Sequence, residues 1–171
     1  MTRSRSVSKR FVLGGLGLLT ILPASLWMAL RAPLINDITT DVERPPLYWV
    51  RPPQRPAYDA VTFRAPTERA YGDLKNLALP VPPEAAYRRV LALVRARGWT
   101  LAAQDDAGRR VQAIAVTPLL RFRDDVVIEV RGGARDGESA VAMRSKSRLG
   151  QGDLGANARR IRAFFADLQR D

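Results

Sequence analysis

Ten of the twelve prolines in this 171-residue chain fall between Ala32 and Pro83, among them the pairs Pro45-Pro46, Pro52-Pro53 and Pro82-Pro83. Proline has a fixed φ and no backbone N–H, so this stretch is expected to be extended, with no regular helix or central strand. Regular structure is pushed downstream into residues 84–171, which hold only Pro118. The Pro-rich part is not a featureless tether. Ile35, Leu47, Tyr48, Trp49, Tyr58, Phe63, Tyr71 and Leu74 are more apolar anchors than a disordered linker carries, so residues 31–83 are expected to pack along the domain. Within them, Asn36-Asp37-Ile38-Thr39-Thr40-Asp41 collects side chains that bond their own backbone in Asx and ST turns.

In residues 84–97, Tyr87, Val90, Leu91 and Val94 recur at helical spacing after a Pro-Pro pair and before Gly98, a natural stop. Strand patterns follow at 99–103, 110–117, 125–131 and 139–147, joined by short connections that favour an antiparallel meander. Leu154, Ala158, Ile161, Phe165 and Leu168 form one stripe of a last helix, with Asp153 as its N-cap. The expected class is α+β: an N-terminal transmembrane helix, then a two-layer domain in which two helices cover the meander over residues 84–171.

The transmembrane expectation rests on Phe11 to Leu30, twenty residues without a charge, long enough to span a hydrocarbon core of about 30 Å. Arg3, Arg5, Lys9 and Arg10 precede it with no acidic residue. Residues 1–10 are therefore expected in the cytoplasm and everything past Arg31 on the periplasmic or extracellular side of the inner membrane. A cleaved signal peptide is the competing reading, although no clear small-x-small site follows the apolar core.

With no Cys and no His, the chain cannot build a thiol nucleophile, a disulfide, a zinc or iron-sulfur site or a Ser-His-Asp triad. No cofactor and no metal are expected. Without the four N-terminal cations, 24 Lys plus Arg face 17 acids, a net charge of +7. On an exported domain this points to anionic lipid, an anionic envelope polymer or another envelope protein rather than nucleic acid; solubility alone is the plainer account.

Asp124, Val126, Ile128 and Val130 share one strand face by the period of two, and Val141, Met143, Ser145 and Ser147 share the facing one. If both apolar rows meet one core, Asp124 comes near Ser145 and Ser147 at one end of the sheet, with Arg144, Lys146 and Arg148 on the other side. Gly150-Gln151-Gly152-Asp153-Leu154-Gly155 follows. It fits G-x-G-x-x-G formally, but no room remains for the second strand of a dinucleotide fold. Either a small anion is held beside Arg144, Arg148, Arg159 and Arg160, or Asp153 caps a tight turn that Asn157 and Arg160 tie down. A cation site drawn from Asp37, Asp41, Asp124 and Asp125 lacks a calcium-loop pattern. A Ser–Lys pair would need Lys75 or Lys146 at Ser145 or Ser147.

Three blocks in order, Asn36 to Asp41, Phe122 to Ile128 and Arg144 to Ile161, resemble the domain of unknown function 1499 family over about residues 34–170. Proteins of that family often carry an N-terminal hydrophobic segment, and the resemblance implies no activity. It marks Asp37, Asp41, Asp124, Asp125, Arg144, Ser145, Ser147, Arg148, Asp153, Asn157 and Arg160 as positions where family-typical polar residues concentrate. Gly150 and Gly152 complete the set of candidate ligand-binding residues. The expected function is a membrane-anchored exported domain that binds or scaffolds an anionic group or a partner protein at this sheet end. The alternative is a hydrolytic or carboxylate–metal-dependent envelope enzyme.

Overall fold

The computed structural model describes residues 34–50, 60–118, 121–150 and 152–170. The apolar stretch 11–30, and the anchor it predicts, lies outside them, and among the described residues no helix is long and apolar enough to cross a membrane. Residues 33–171 form one compact unit.

The order of elements is β1 (Asp37–Thr39), α1 (Ala60–Tyr71), β2 (Leu77–Leu79), α2 (Pro83–Ala96), β3 (Thr100–Asp105), β4 (Arg110–Val116), β5 (Arg123–Gly132), β6 (Ser139–Ser147) and α3 (Ala156–Arg170). The fold is α+β, a six-stranded antiparallel sheet with three helices. β3 to β6 form the expected meander, and both short strands add to the free edge of β6, β1 beside Arg144–Lys146 and β2 beside Ser139–Val141. Between them the Thr40 hydroxyl accepts the Met143 N–H at 2.9 Å while the Thr40 N–H donates to the Met143 carbonyl at 2.9 Å. A side chain thereby continues the ladder where no strand residue is available.

One expectation about the Pro-rich stretch is corrected: it contains a regular helix, α1, with Pro66 inside it. Its two short strands are additions to the edge of β6, not central strands. An interior proline costs about 3 kcal/mol in lost bonding and strain, yet Thr67, Tyr71 and Leu74 are buried beyond it. Packing outweighs the local penalty, and Pro66 itself sits on the exposed side of the helix.

One face of the sheet carries the core. Val111, Ala113 and Ala115 of β4, Val126, Ile128 and Val130 of β5, and Val141 and Met143 of β6 meet α2 through Tyr87, Val90, Leu91 and Val94. α3 completes the layer with Ala158, Ile161, Phe164, Phe165 and Leu168, and Phe164 stacks on Trp99 with ring centroids 5.4 Å apart. The other face is covered by the segment ending at Val50. Its prolines cannot ladder, so sheet side chains satisfy its backbone instead. Gln112 Nε2 donates to the Val50 carbonyl at 2.7 Å, and its Oε1 accepts the Trp49 and Val50 N–H groups at 3.2 Å each. Arg131 donates to the Arg44 carbonyl at 2.8 Å, and the Tyr48 hydroxyl donates to the Asp125 carbonyl at 3.1 Å. The strands Asp125–Val130 and Val141–Ser145 are therefore buried almost continuously, as covered strands are.

Candidate functional site

The register pairs Asp124 with Ser147 and Val126 with Ser145. Period two then puts the Asp124 carboxylate and both hydroxyls in the row that leads to the core. All three residues are buried, as is Asn157 in the first turn of α3. Asn157 Oδ1 accepts the Ser145 hydroxyl at 2.7 Å and an Arg160 N–H, while its Nδ2 donates to Ser147 Oγ at 3.0 Å and to the Asn36 carbonyl at 3.1 Å. Arg160 Nη1 donates to Ser145 Oγ at 2.9 Å and Nη2 pairs with Asp124 Oδ2. One amide thus joins β1, β6 and α3, and one guanidinium neutralises the buried acid. Asp124 Oδ1 has no hydrogen-bond partner among the described residues.

The glycine segment is a capped turn. Asp153 accepts the Gly155 N–H at 2.8 Å and the Asn157 N–H at 2.6 Å, satisfying donors that the start of α3 would leave open. Gly150 (φ 79°) and Gly155 (φ 77°) occupy the left-handed region that glycine tolerates, and Leu154 (φ 52°) occupies it despite its side chain.

The remaining sequence-predicted residues do not join this group. Asp125, Arg144 and Arg148 lie on the opposite face because neighbours on a strand point to opposite sides. Under the Pro-rich cover, Arg144 is bidentate to Asp37 at 2.7 and 2.8 Å, Lys146 reaches Asp37 at 3.2 Å, and the Tyr48 ring lies 4.8 Å from the Arg144 guanidinium. Arg148 pairs with Asp125 at 2.7 Å, and that hydrogen bond raises its pKa against the opposing effect of burial. Asp41 stands apart with Arg131 at 2.7 Å, Asn76 at 3.0 Å and the Arg44 N–H at 2.8 Å. Burial pushes the Asp41 carboxyl up, but these donors outweigh it and hold its pKa below the ordinary value.

A small-anion pocket shared by Arg144, Arg148, Arg159 and Arg160 is therefore not assembled. Among the described residues no three acidic side chains gather as a cation set. The Ser–Lys combination is not brought together either: Lys146 is on the far face with Asp37, and Lys75 is exposed in the connection before β2.

What opens at this end is a cleft of about 720 Å³, bounded by the ends of β4 and β6, the α2–β3 connection, the β4–β5 connection and the turn into α3. Asp124, Ser147 and Arg160 line it, with Gly150, Gly152 and Asp153. Much of the remaining wall is apolar or aromatic, with Trp99, Val116, Phe122, Leu149 and Leu154, and the exposed Arg159 also lines it. Eight large hydrophobic side chains are exposed among the described residues, and four of them, Val116 (38%), Phe122 (45%), Leu149 (67%) and Leu154 (51%), converge on this one cleft. Single exposed apolar residues are ordinary; a convergent group is not. Arg97 also lines the cleft but is taken up by Asp167 and the Ala163 carbonyl, with its guanidinium near the Trp99 and Phe164 rings.

Sequence reasoning did not single out Trp99, Val116, Phe122 and Leu149 as site residues, nor Asn36, whose side chain donates to the Gly150 carbonyl. It read Leu154 as part of the buried stripe of the last helix, whereas Leu154 precedes α3, at φ 52° and 51% exposed, because the helix starts only at Ala156. A signal was present: Leu149 and Leu154 flank the glycines of a turn, where polar residues are the rule. A search of curated proteins finds no match to this chain. A family model described as a protein of unknown function (DUF1499) matches residues 37–168, well over half of the chain, and the protein belongs to that family.

Proposed function

We propose that this protein is a membrane-anchored binding module, exported past the inner membrane, whose cleft holds a ligand with an apolar body. The observation that carries the reading is the convergence of Val116, Phe122, Leu149 and Leu154 on a cleft with a buried ion pair in its wall. A volume of about 720 Å³ lies within the range of small-molecule sites, roughly 300–1,000 Å³, which are mostly apolar with a few placed polar groups. The engagement of Arg160 with Asp124, Ser145 and Asn157 favours an apolar ligand over a bare anion. Anchoring is supported by the uncharged stretch Phe11 to Leu30 and its basic flank.

Residues 33–171, which form one compact unit, can be titrated with N-phenyl-1-naphthylamine, an apolar dye that brightens on leaving water. Saturable binding that weakens about tenfold in Phe122→Ser/Leu149→Ser, with the melting temperature unchanged, is the expected result, equivalent to about 1.4 kcal/mol of lost apolar contact. No saturable binding, or equal binding by the variant, counts against the cleft. Carbonate extraction of membranes tests the anchor separately: release of the intact chain refutes it.

A further inference from the structure

We infer that the cleft end of the domain is a lipid-docking surface, which sets Phe122, Leu149 and Leu154 into the interfacial zone of an anionic bilayer with Arg121, Arg123 and Arg159 at headgroup level. The inference goes beyond the ligand reading.

Two observations carry it. First, the apolar side chains stand on two neighbouring connections, β4–β5 and β6–α3, joined where the Arg148 N–H donates to the Arg123 carbonyl at 3.2 Å. All three are exposed at this single end. Second, cations accompany them. Arg121, Arg123 and Arg159 are exposed, and none of the three has an ion-pair partner among the described residues. Arg131, Arg144, Arg148 and Arg160, over the sheet, are each paired with an acid. The acids of this end are engaged: Asp124 with Arg160, Asp125 with Arg148, and Asp153 with the first turn of α3. The sequence Arg121-Phe122-Arg123 alternates cation and ring, the pattern of a surface that meets both headgroups and acyl chains.

In the docked orientation the mouth of the cleft opens toward lipid, so an amphiphile would pass into it without crossing bulk water.

The absence of native cysteine permits a clean test with Leu149→Cys in the full chain, labelled with an environment-sensitive nitrobenzoxadiazole dye. Vesicles of phosphatidylcholine alone are compared with vesicles containing phosphatidylglycerol. Docking predicts blue-shifted emission and protection from aqueous iodide with phosphatidylglycerol, both reduced by salt because exposed charges are screened beyond about 8 Å at 0.15 M. Ala134→Cys, in the exposed β5–β6 connection, should stay in water throughout. Arg121→Glu/Arg123→Glu should lower the preference for anionic vesicles by at least about tenfold. Equal emission from Leu149→Cys on both vesicle types overturns the proposal. Protection that grows with protein density and ignores lipid composition also overturns it, in favour of a second copy on this surface. The labelled chain added to preformed vesicles separates the two readings: carbonate release with a retained phosphatidylglycerol-dependent shift refutes the anchor and upholds docking, whereas firm anchoring without the shift does the reverse.

Discussion

Asp124 and Asp125 are adjacent on β5, both buried and both paired with arginine, yet their surroundings differ completely. Asp125 lies on the face that the Pro-rich segment covers, in line with the Asp37–Arg144 pair, where Tyr48 and Gln112 leave the cover closed. Asp124 lies on the helix-covered face at the point where the helices end, and an apolar-walled cleft opens beside it. The same residue type in the same strand is thus cladding on one side and cleft wall on the other. The lesson is that a dense polar motif does not identify a site; what covers it does.

The comparison is broken most severely by removing a partner on the closed face. Arg144→Ala would leave the Asp37 carboxylate buried beside Lys146 alone, and a stability loss of about 3–5 kcal/mol is expected in urea melts. Dye binding by the fraction that remains folded should match the parent; a selective loss of binding would place function on the closed face after all. Asn157→Ala is the next largest. It removes partners from Ser145, Ser147 and the Asn36 carbonyl together, and a loss of about 2–4 kcal/mol is expected. A change under about 0.5 kcal/mol would mean that this network does not hold β1 to α3.

The walls of the cleft should respond oppositely. Leu154→Ser is expected to shift unfolding by no more than about 0.5 kcal/mol, since the side chain is half exposed, while weakening dye binding severalfold. Equal effects on both readouts would make Leu154 a packing residue. The pH-dependent effect belongs to Asp41. Its folded-state pKa is depressed below 3.8, so its contribution is present above about pH 4 and is lost as pH falls through the lowered value. Asp41→Asn should lower stability at neutral pH by less than about 1 kcal/mol and flatten the acid limb of the stability curve. An unchanged acid limb would detach Asp41 from the pH dependence.

Much of the fold was legible. Periodicity placed the helix around Val90 and Val94, the meander and the nearness of Asp124 to Ser145 and Ser147, and capping preference placed Asp153 at the start of the last helix. The failures have identifiable causes. Proline chemistry argued against α1, and local preference gave way to the burial of Thr67, Tyr71 and Leu74. Three-residue strands such as Asp37–Thr39 and Leu77–Leu79 are too short to show a period and exist because β6 offers them an edge. The candidate residues were gathered from both faces because the sequence motifs run through β5 and β6 without regard to side.

By itself the sequence determined which residues alternate, where helices stop, how charge is distributed and which chemistries are unavailable, since these follow from side-chain identity and spacing along one chain. Only the tertiary structure decided which polar face is closed, because the cover comes from residues more than sixty positions away, as in the bonding of Trp49 to Gln112. It also gathered Phe122, Leu149 and Leu154 from separate connections around one opening, a property of the packed molecule that no local pattern encodes.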